Sequence, residues 1–416
     1  MDSSMLDIPL SRALQQPDWD DPAQVRRVVR ALSERPPLVR AQDVRALRDR
    51  LARVAAGECL VVQAGDCAEN PDECTPGHVG RKVAALDAMA GALSLVTNKP
   101  VLRVGRIGGQ FAKPRSSAVE TVDGVTLPSF RGHLVNSPES TEEARRPDPL
   151  RLLTGYMAAG DIMDCLGWRG SSRTLKDQPR VWTSHEALLL DYEMPLVRRD
   201  GAGPPVLGST HWPWIGERTR QADGPHTALL SRVANPVACK VGPTTTAREL
   251  LALCERLDPM REPGRLTLIA RMGAGRTAHR LPALVTAVRT AGFPVIWMCD
   301  PMHGNTVTTG EGHKTRVVAT LAREVGQFVA AVEASGGVAG GLHLETTPDD
   351  VTECVTDESD FGRVGERYTS VCDPRLTRWQ ALSVVVAWGS DPEAPGGTAA
   401  DIQRTEGKNL ARTTRV

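Results

Sequence analysis

Short apolar runs recur along this chain of 416 residues, and each hands over to side chains that can carry charge. Cys59–Gln63 leads to Asp66 and Cys67, Val101–Val104 to Arg106, and Val181–Ser184 to His185 and Glu186. Pro205–Gly208 is followed by His211, Glu217 and Arg218; Val237–Val241 carries Lys240, and Leu266–Ala270 precedes Arg271. Val295–Cys299 ends at Asp300 and His303, and Gly341–Leu344 at Glu345. Six cations stand out: Arg106, Lys113, Arg115, Arg218, Lys240 and Arg271. The chain holds 50 basic and 50 acidic residues, so cations meeting at one mouth would focus a positive field on an otherwise neutral molecule. Arginine forks and lysine point charges suit phosphates and carboxylates. Any one of these cations alone reads as a solvated surface charge; the set reads as a site. Lys113, Arg115 and Ser116 lie in GGQFAKPRSS, where glycines permit close backbone approach and hydroxyls add phosphate contacts. A phosphorylated, anionic substrate is expected.

A second group mixes soft and hard donors: Cys67, His303, Glu345 and Asp373. Sulfur, imidazole and carboxylate together suit a divalent transition metal, and the donor types alone leave Mn, Co, Fe and Zn open. A lone cysteine at a strand end is otherwise an ordinary buried thiol. His343 precedes Glu345 by two residues, so both point to one face of a strand; it reads as a rival ligand or as a barrel-interior side chain.

Such residues need elements that bring them together. Continuous rather than alternating apolarity suits strands buried on both faces of a parallel sheet. Eight such runs interspersed with helices over Arg81–Val96, Thr245–Leu257, Leu281–Thr290 and Lys314–Ala334 predict an α/β fold, a (β/α)8 barrel, whose chemistry gathers at the C-terminal strand ends. The runs at 181 and 205 are too close for a full helix between them. Residues 1–57 read as an N-terminal helical extension. Asp20 or Asp21 caps a helix that begins at Pro22 and stops before Pro36, and a second runs from Asp43 to Ala56 with Gly57 beyond it. Residues 58–390 form the barrel and 391–416 a Gly-, Pro- and charge-rich tail.

Zero net charge speaks against nucleic acid or an anionic membrane as partner. No apolar stretch of about 18 residues occurs, and the start lacks a basic and then apolar leader pattern. Nine cysteines without a CxxC pair read as free thiols in a reducing cytoplasm. Two motifs point elsewhere. Gly273-Ala274-Gly275-Arg276-Thr277-Ala278 follows an apolar run and matches the dinucleotide pattern, which would make an NAD-dependent oxidoreductase, although Asp300 lies beyond the expected ribose-contacting position. His343-Leu344-Glu345 imitates the HxE of zinc deaminases but lacks the PCxxC partner. No Walker A, GxSxG or HExxH motif is present.

The chain resembles the type II 3-deoxy-D-arabino-heptulosonate 7-phosphate (DAHP) synthases, which open the shikimate pathway. The resemblance rests on QAGDCAE (63–69), RVGRIGGQFAKPRS (103–116), SHEALLLDYE (184–193), GERTRQADGPH (216–226), NPVACKVGPT (235–244), ARMGAG (270–275), DPMHGNT (300–306), GGLHLE (340–345), DVTEC (350–354) and CDPRLT (372–377). It implies a metal-dependent condensation of phosphoenolpyruvate (PEP) with erythrose 4-phosphate in a cytoplasmic homodimer or homotetramer. By motif match, Cys67, His303, Glu345 and Asp373 would hold the metal, and Arg106, Glu217, Lys240 and Arg271 would surround PEP with Arg218 at its phosphate. Lys113, Arg115 and Ser116 would take the sugar phosphate. Glu217 is the candidate to steer or deprotonate a water; an ion pair with Arg218 or Arg106 is its plain alternative. His133 and Ser137 stand where the family usually has Asp and Gly, in a loop expected near the sugar, so an amino-sugar acceptor is a second reading. The linker from Asp161 to Trp182 is short compared with members carrying helices for aromatic feedback. That implies weak inhibition by Phe, Tyr or Trp and similarity to secondary-metabolite enzymes of the phenazine type. Cys372 beside Asp373 is either an inert thiol or a disulfide partner for Cys67. An inactive regulatory relative is the remaining alternative, against which the full set of matched residues argues. Trp212 and Trp214 read as buried packing or an assembly surface.

Overall fold

The computed structural model describes residue 8 and residues 10–390, apart from 123, 170–179 and 202. Eight parallel strands close a barrel: β1 (Leu60–Gly65), β2 (Val101–Arg106), β3 (Trp182–Glu186), β4 (Trp212–Ile215), β5 (Val237–Val241), β6 (Leu266–Ala270), β7 (Ile296–Cys299) and β8 (Val338–Glu345). Neighbours in space are neighbours in sequence, and β8 returns to β1. Along β1, Gly65 pairs with Arg106 on one side and Glu345 on the other. Those two charges are therefore level at the C-terminal mouth, one residue before Asp66 and two before Cys67. The chain forms the predicted (β/α)8 barrel.

One strand differs from its expected place. Pro205–Gly208 is outside the barrel, where Val206–Leu207 pairs antiparallel with Val197–Arg198. The fourth barrel strand is Trp-Pro-Trp-Ile at 212–215, fully buried. A proline and two indoles disguise a strand that side-chain volume, not β-branched composition, fits to the barrel. Trp212 and Trp214 are at most 2 % exposed, so they pack the interior and form no surface.

Two helices of the ring start at side-chain caps. Thr75 caps α3 (Pro76–Thr97) and Thr246 closes a capping box with Glu249 on α6 (Ala247–Leu257), while α4 (Leu150–Cys165), α5 (Pro225–Ser231), α7 (Thr277–Thr290) and α8 (Val318–Ala334) complete most of the ring. Lys314 and Thr315, expected inside the helix of β7 to β8, instead pair with Val307–Thr308 in a two-residue hairpin over the mouth. Between β3 and β4 no full helix intervenes: a helical turn, Leu190–Glu193, and a 3-10 turn, Met194–Leu196, lead into the short hairpin of Val197–Arg198 and Val206–Leu207.

Helix α1 (Pro22–Ser33) packs against α4 and that turn, capped at its start by Asp21. Arg198 donates to the carbonyls of Leu32, Ser33 and Arg35 at 3.3, 3.0 and 2.7 Å, closing the other end of α1. Helix α2 (Ala41–Ala55) buries Val44, Leu47, Leu51 and Val54 and reaches the N-terminal strand ends, where Val54 meets Gly340. Gly57, at φ +76°, turns the chain from α2 into β1. Both helices thus rest on the barrel of their own chain. No described helix is long and apolar enough to cross a membrane.

Candidate active site

Cys67, Arg106, Lys113, Arg115, Ser116, Glu217, Arg218, Lys240, Arg271, His303, Glu345 and Asp373, all predicted from sequence, line one cavity at the C-terminal end of the barrel. Asp66, His185, His211 and Asp300, also expected at strand ends, do not line it, and His211, which precedes β4, stands at the N-terminal end of that strand. His211 packs against Trp168 and Trp182, and His185 bonds buried Glu193 at 2.8 Å. Asp300 accepts from His303 Nδ1 at 2.8 Å and pairs with the Lys240 ammonium.

The donors form a cluster. One ligand atom each from Cys67, Glu345 and Asp373 lie within 4.8 Å of one another. His303 adds Nε2, 3.2 Å from Glu345 Oε1, because Asp300 occupies its other nitrogen. Glu345 is wholly buried; Arg106 reaches Oε1 at 3.1 Å and Arg316 reaches Oε2 at 2.8 Å. Burial works to raise its carboxyl, but His303, Arg316, Lys113 and Arg106 hold it well below the usual range. Asp373 follows the same logic, burial being overcome chiefly by Lys113. The Lys113 ammonium touches Cys67 Sγ and lies 2.6 Å from Asp373 Oδ2. These donors therefore already gather a cation, and a sulfur–imidazole–carboxylate set fits a divalent transition metal. Burial, then contact with Cys372, pushes the Cys67 thiol well up; both cysteines are free.

The cations line the rest of the cavity. Arg106 lies 5.3 Å over the Trp214 ring, and Arg271 is tethered to the His303 carbonyl at 3.0 Å. Burial lowers the Lys240 ammonium to about 8, with Asp300 opposing that fall. Glu217 pairs with Arg220 at 2.9 Å, not with Arg218 or Arg106, and its Oε2 is buried without a hydrogen bond. Glycine at 242 leaves the space this carboxylate fills. Arg218 and Ser116 are exposed at the rim, while Arg115 pairs with Glu120.

A sequence profile of the Class-II DAHP synthetase family matches residues 7–173 and 161–388. A probable phospho-2-dehydro-3-deoxyheptonate aldolase of Pseudomonas fluorescens is 57 % identical over 91 % of this chain and 95 % of its own length. The chain belongs to this family. Phospho-2-dehydro-3-deoxyheptonate aldolases of Streptomyces coelicolor and Mycolicibacterium smegmatis are 41 % and 38 % identical, each over 89 % of this chain and 93 % and 91 % of their own. A solved phospho-2-dehydro-3-deoxyheptonate aldolase from Francisella tularensis shares the fold, with a TM-score of 0.53 at 14 % identity, over 90 % of this chain and 97 % of that one. Membership makes the chain a transferase-type enzyme.

The structure also decides between open readings and moves one expected loop. His343 is not a ligand. Arg106 can only donate, so it donates to Nε2 at 2.7 Å, and Nδ1 then donates to Gln63 at 2.6 Å. The loop with His133 and Ser137 does not line the cavity; it backs the Lys113 segment, Lys113 N–H bonding the Arg131 carbonyl at 2.8 Å. The GAGRTA turn packs on a neighbouring loop: a Cβ at Gly273 would lie 2.8 Å from the Gly304 carbonyl, and its N–H donates to buried Glu324 at 2.8 Å.

Reasoning from strand ends passed over four contributors. Glu186, at a strand end but outside the predicted site, lines the cavity; burial raises its carboxyl, and Gly216 leaves room for it. Gln110 holds the Glu186 backbone at 2.9 Å. Glu69 accepts from the N–H groups of Gly108, Gly109 and Gln110 at 3.1, 3.0 and 2.9 Å, setting the GGQ turn; its place inside QAGDCAE was the available signal. Arg316 gave none, being one arginine on a hairpin read as helix.

Proposed function

We propose that this chain condenses PEP with erythrose 4-phosphate to give DAHP and inorganic phosphate at the head of the shikimate pathway. The observation that carries the reading is one cavity holding a sulfur–imidazole–carboxylate cluster between cations. Two phosphates and a carboxylate bring roughly five negative charges, which the converging cations balance by simple charge counting. Arg106, Lys240 and Arg271 hold the carboxylate and phosphate of PEP, with Arg218 at the rim on the phosphate side. Arg115 and Ser116 take the sugar phosphate, and Lys113 stands between that subsite and the donor cluster.

Cys67, His303, Glu345 and Asp373 would hold a divalent metal (Mn, Co, Zn or Fe), which when bound supplies Lewis acidity toward the aldehyde oxygen. The residues of the chain do the positioning, which for two small anions is most of the work. They bring C3 of PEP against the aldehyde carbon. As that bond forms, the aldehyde oxygen becomes an alkoxide and positive charge develops at C2. Water adds to C2, giving one proton to the free Oε2 of Glu217, from which it passes through solvent to the alkoxide. The bond from C2 to the phosphate oxygen then breaks as the new C2 hydroxyl becomes the carbonyl, its proton leaving with the phosphate.

The test is PEP loss with phosphate release after EDTA treatment and restoration of single metals. Turnover returning with one of them supports the reading. PEP binding without turnover under every metal would transfer it to another acceptor, an amino-sugar phosphate first. No PEP binding would overturn the assignment of Arg106, Lys240 and Arg271. The short linker from Asp161 to Trp182, of which 170–179 lie outside the described residues, supports weak aromatic inhibition and a role in secondary metabolism. Millimolar Phe, Tyr or Trp should leave the rate unchanged.

A further inference from the structure

Ahead of α1, Gln15 adopts a left-handed backbone at φ +62°. For a residue with a Cβ this is unfavourable, and it persists only where surrounding contacts dictate it. Here the contacts run to the cavity. Gln15 Oε1 accepts the N–H of Arg115 at 2.8 Å, and the Gln15 carbonyl accepts from Arg131 Nη2 at 2.7 Å. The Arg131 carbonyl in turn accepts the N–H of Lys113 at 2.8 Å. A single residue thus fixes both ends of the Lys113–Arg115 backbone, one directly and one through Arg131.

Gln15 is itself stationed by the barrel. The adjacent Gln16 side chain donates to the Leu188 carbonyl and accepts from the Leu190 N–H, both at 2.9 Å. Trp19 donates to Asp191 at 2.9 Å. The segment before α1 therefore straps the loop after β2 to the loop after β3. The Arg115 guanidinium is held separately by Glu120, so its direction is set from one side and the height of its backbone from the other.

We infer that Gln15 is a positioning residue for the acceptor-phosphate subsite, clamping the segment that carries Arg115 and Ser116. This rests on the reading of that segment as the sugar-phosphate subsite. A small displacement of a substrate-positioning group is costly to catalysis, and here the cost falls on one substrate of two.

Gln15→Met keeps the side-chain length without the acceptor, and Gln15→Gly removes the acceptor while easing the left-handed backbone. Both should raise KM for erythrose 4-phosphate about fivefold, the loss of one neutral hydrogen bond, leaving KM for PEP, kcat and the melting temperature unmoved. Arg115→Met should raise the same KM further. Unchanged KM in both Gln15 variants, with Arg115→Met still impaired, overturns the clamp. An equal loss for both substrates with a lowered melting temperature reduces Gln15 to general support and also overturns it. If Arg115→Met leaves KM for erythrose 4-phosphate unchanged, the subsite reading fails first and the clamp with it.

Discussion

The two sides of the cavity are built on different principles. On the donor side, Glu345 and Arg316 are wholly buried, and every charge has several partners: Glu345 meets Arg106, Arg316 and His303 within 3.2 Å. Behind it, Arg375 pairs with Asp66 and Glu353 at 2.8 Å each, tying the Cys67 turn to the Asp373 loop. At the rim, Ser116 of the acceptor subsite and Arg218 on the PEP-phosphate side are exposed, and the segment carrying Ser116 is held by Gln15 and Glu120, outside the barrel strands. Charges out of water must be over-paired to be tolerated, whereas charges at a wet rim are screened and cheap to move. Substrate chemistry is accordingly anchored on one side and adjustable on the other.

The comparison breaks if the donor side tolerates substitution. His303→Ala removes the imidazole oriented by Asp300 and should cost about 10³-fold in kcat, in line with losing several kcal/mol of electrophilic stabilisation. Metal content and turnover measured on the same sample check it. Retained metal at full occupancy with normal kcat would show that His303 is no ligand.

Arg316→Met should unfold the molecule more readily by about 3–5 kcal/mol, because Glu345 then keeps a buried charge with one partner fewer. Chemical denaturation of the metal-free protein reads this directly. Adding Glu345→Gln to Arg316→Met should restore much of the loss; failure to do so would mean that packing, not charge, accounts for it.

Lys240 sharpens the contrast through pH. Its ammonium titrates at about 8, lowered by burial and supported by Asp300. A lysine depressed in the folded state penalises folding below about pH 8, and that penalty fades as pH rises toward the ordinary value near 10.5. PEP binding has the opposite dependence, since the charged form binds the anion. KM for PEP should climb roughly tenfold per pH unit above about 8, while KM for the sugar phosphate stays flatter. Lys240→Arg should flatten the PEP profile, and a profile that still bends at the same pH would assign the titration elsewhere.

The same contrast governs what was legible in the chain. Strand ends announce themselves because a buried run must stop at charge, so Arg106, Lys240, Arg271 and Glu345 are readable as a set, though none of the three cations is readable alone. Cys67 is readable as a soft donor at the end of the first run, but Asp373 follows no apolar run, and neither stands at a local metal pattern, so the family motifs do more than spacing to join them. β4 was missed because Trp-Pro-Trp-Ile meets the barrel by volume and lacks the β-branched signature. Glu69 and Arg316 act through backbone and ion-pair contacts made only when distant loops meet, and Gln15 gives no signal until its φ is seen.

The smallest effect belongs to the rim. Ser116 is exposed, so its hydroxyl competes with water for the phosphate, and Ser116→Ala should raise KM for erythrose 4-phosphate by only about two- to fivefold, up to about 1 kcal/mol. Added salt separates it from its neighbour. A neutral hydroxyl contact is nearly indifferent to ionic strength, whereas Arg218 acts across solvent through a screened charge. The Ser116→Ala penalty on KM for erythrose 4-phosphate should therefore be the same in low and high salt, while the Arg218→Met penalty on KM for PEP should shrink as salt rises. A Ser116→Ala penalty as large as that of His303→Ala would place this hydroxyl in the desolvated part of the site and remove the distinction between the two sides.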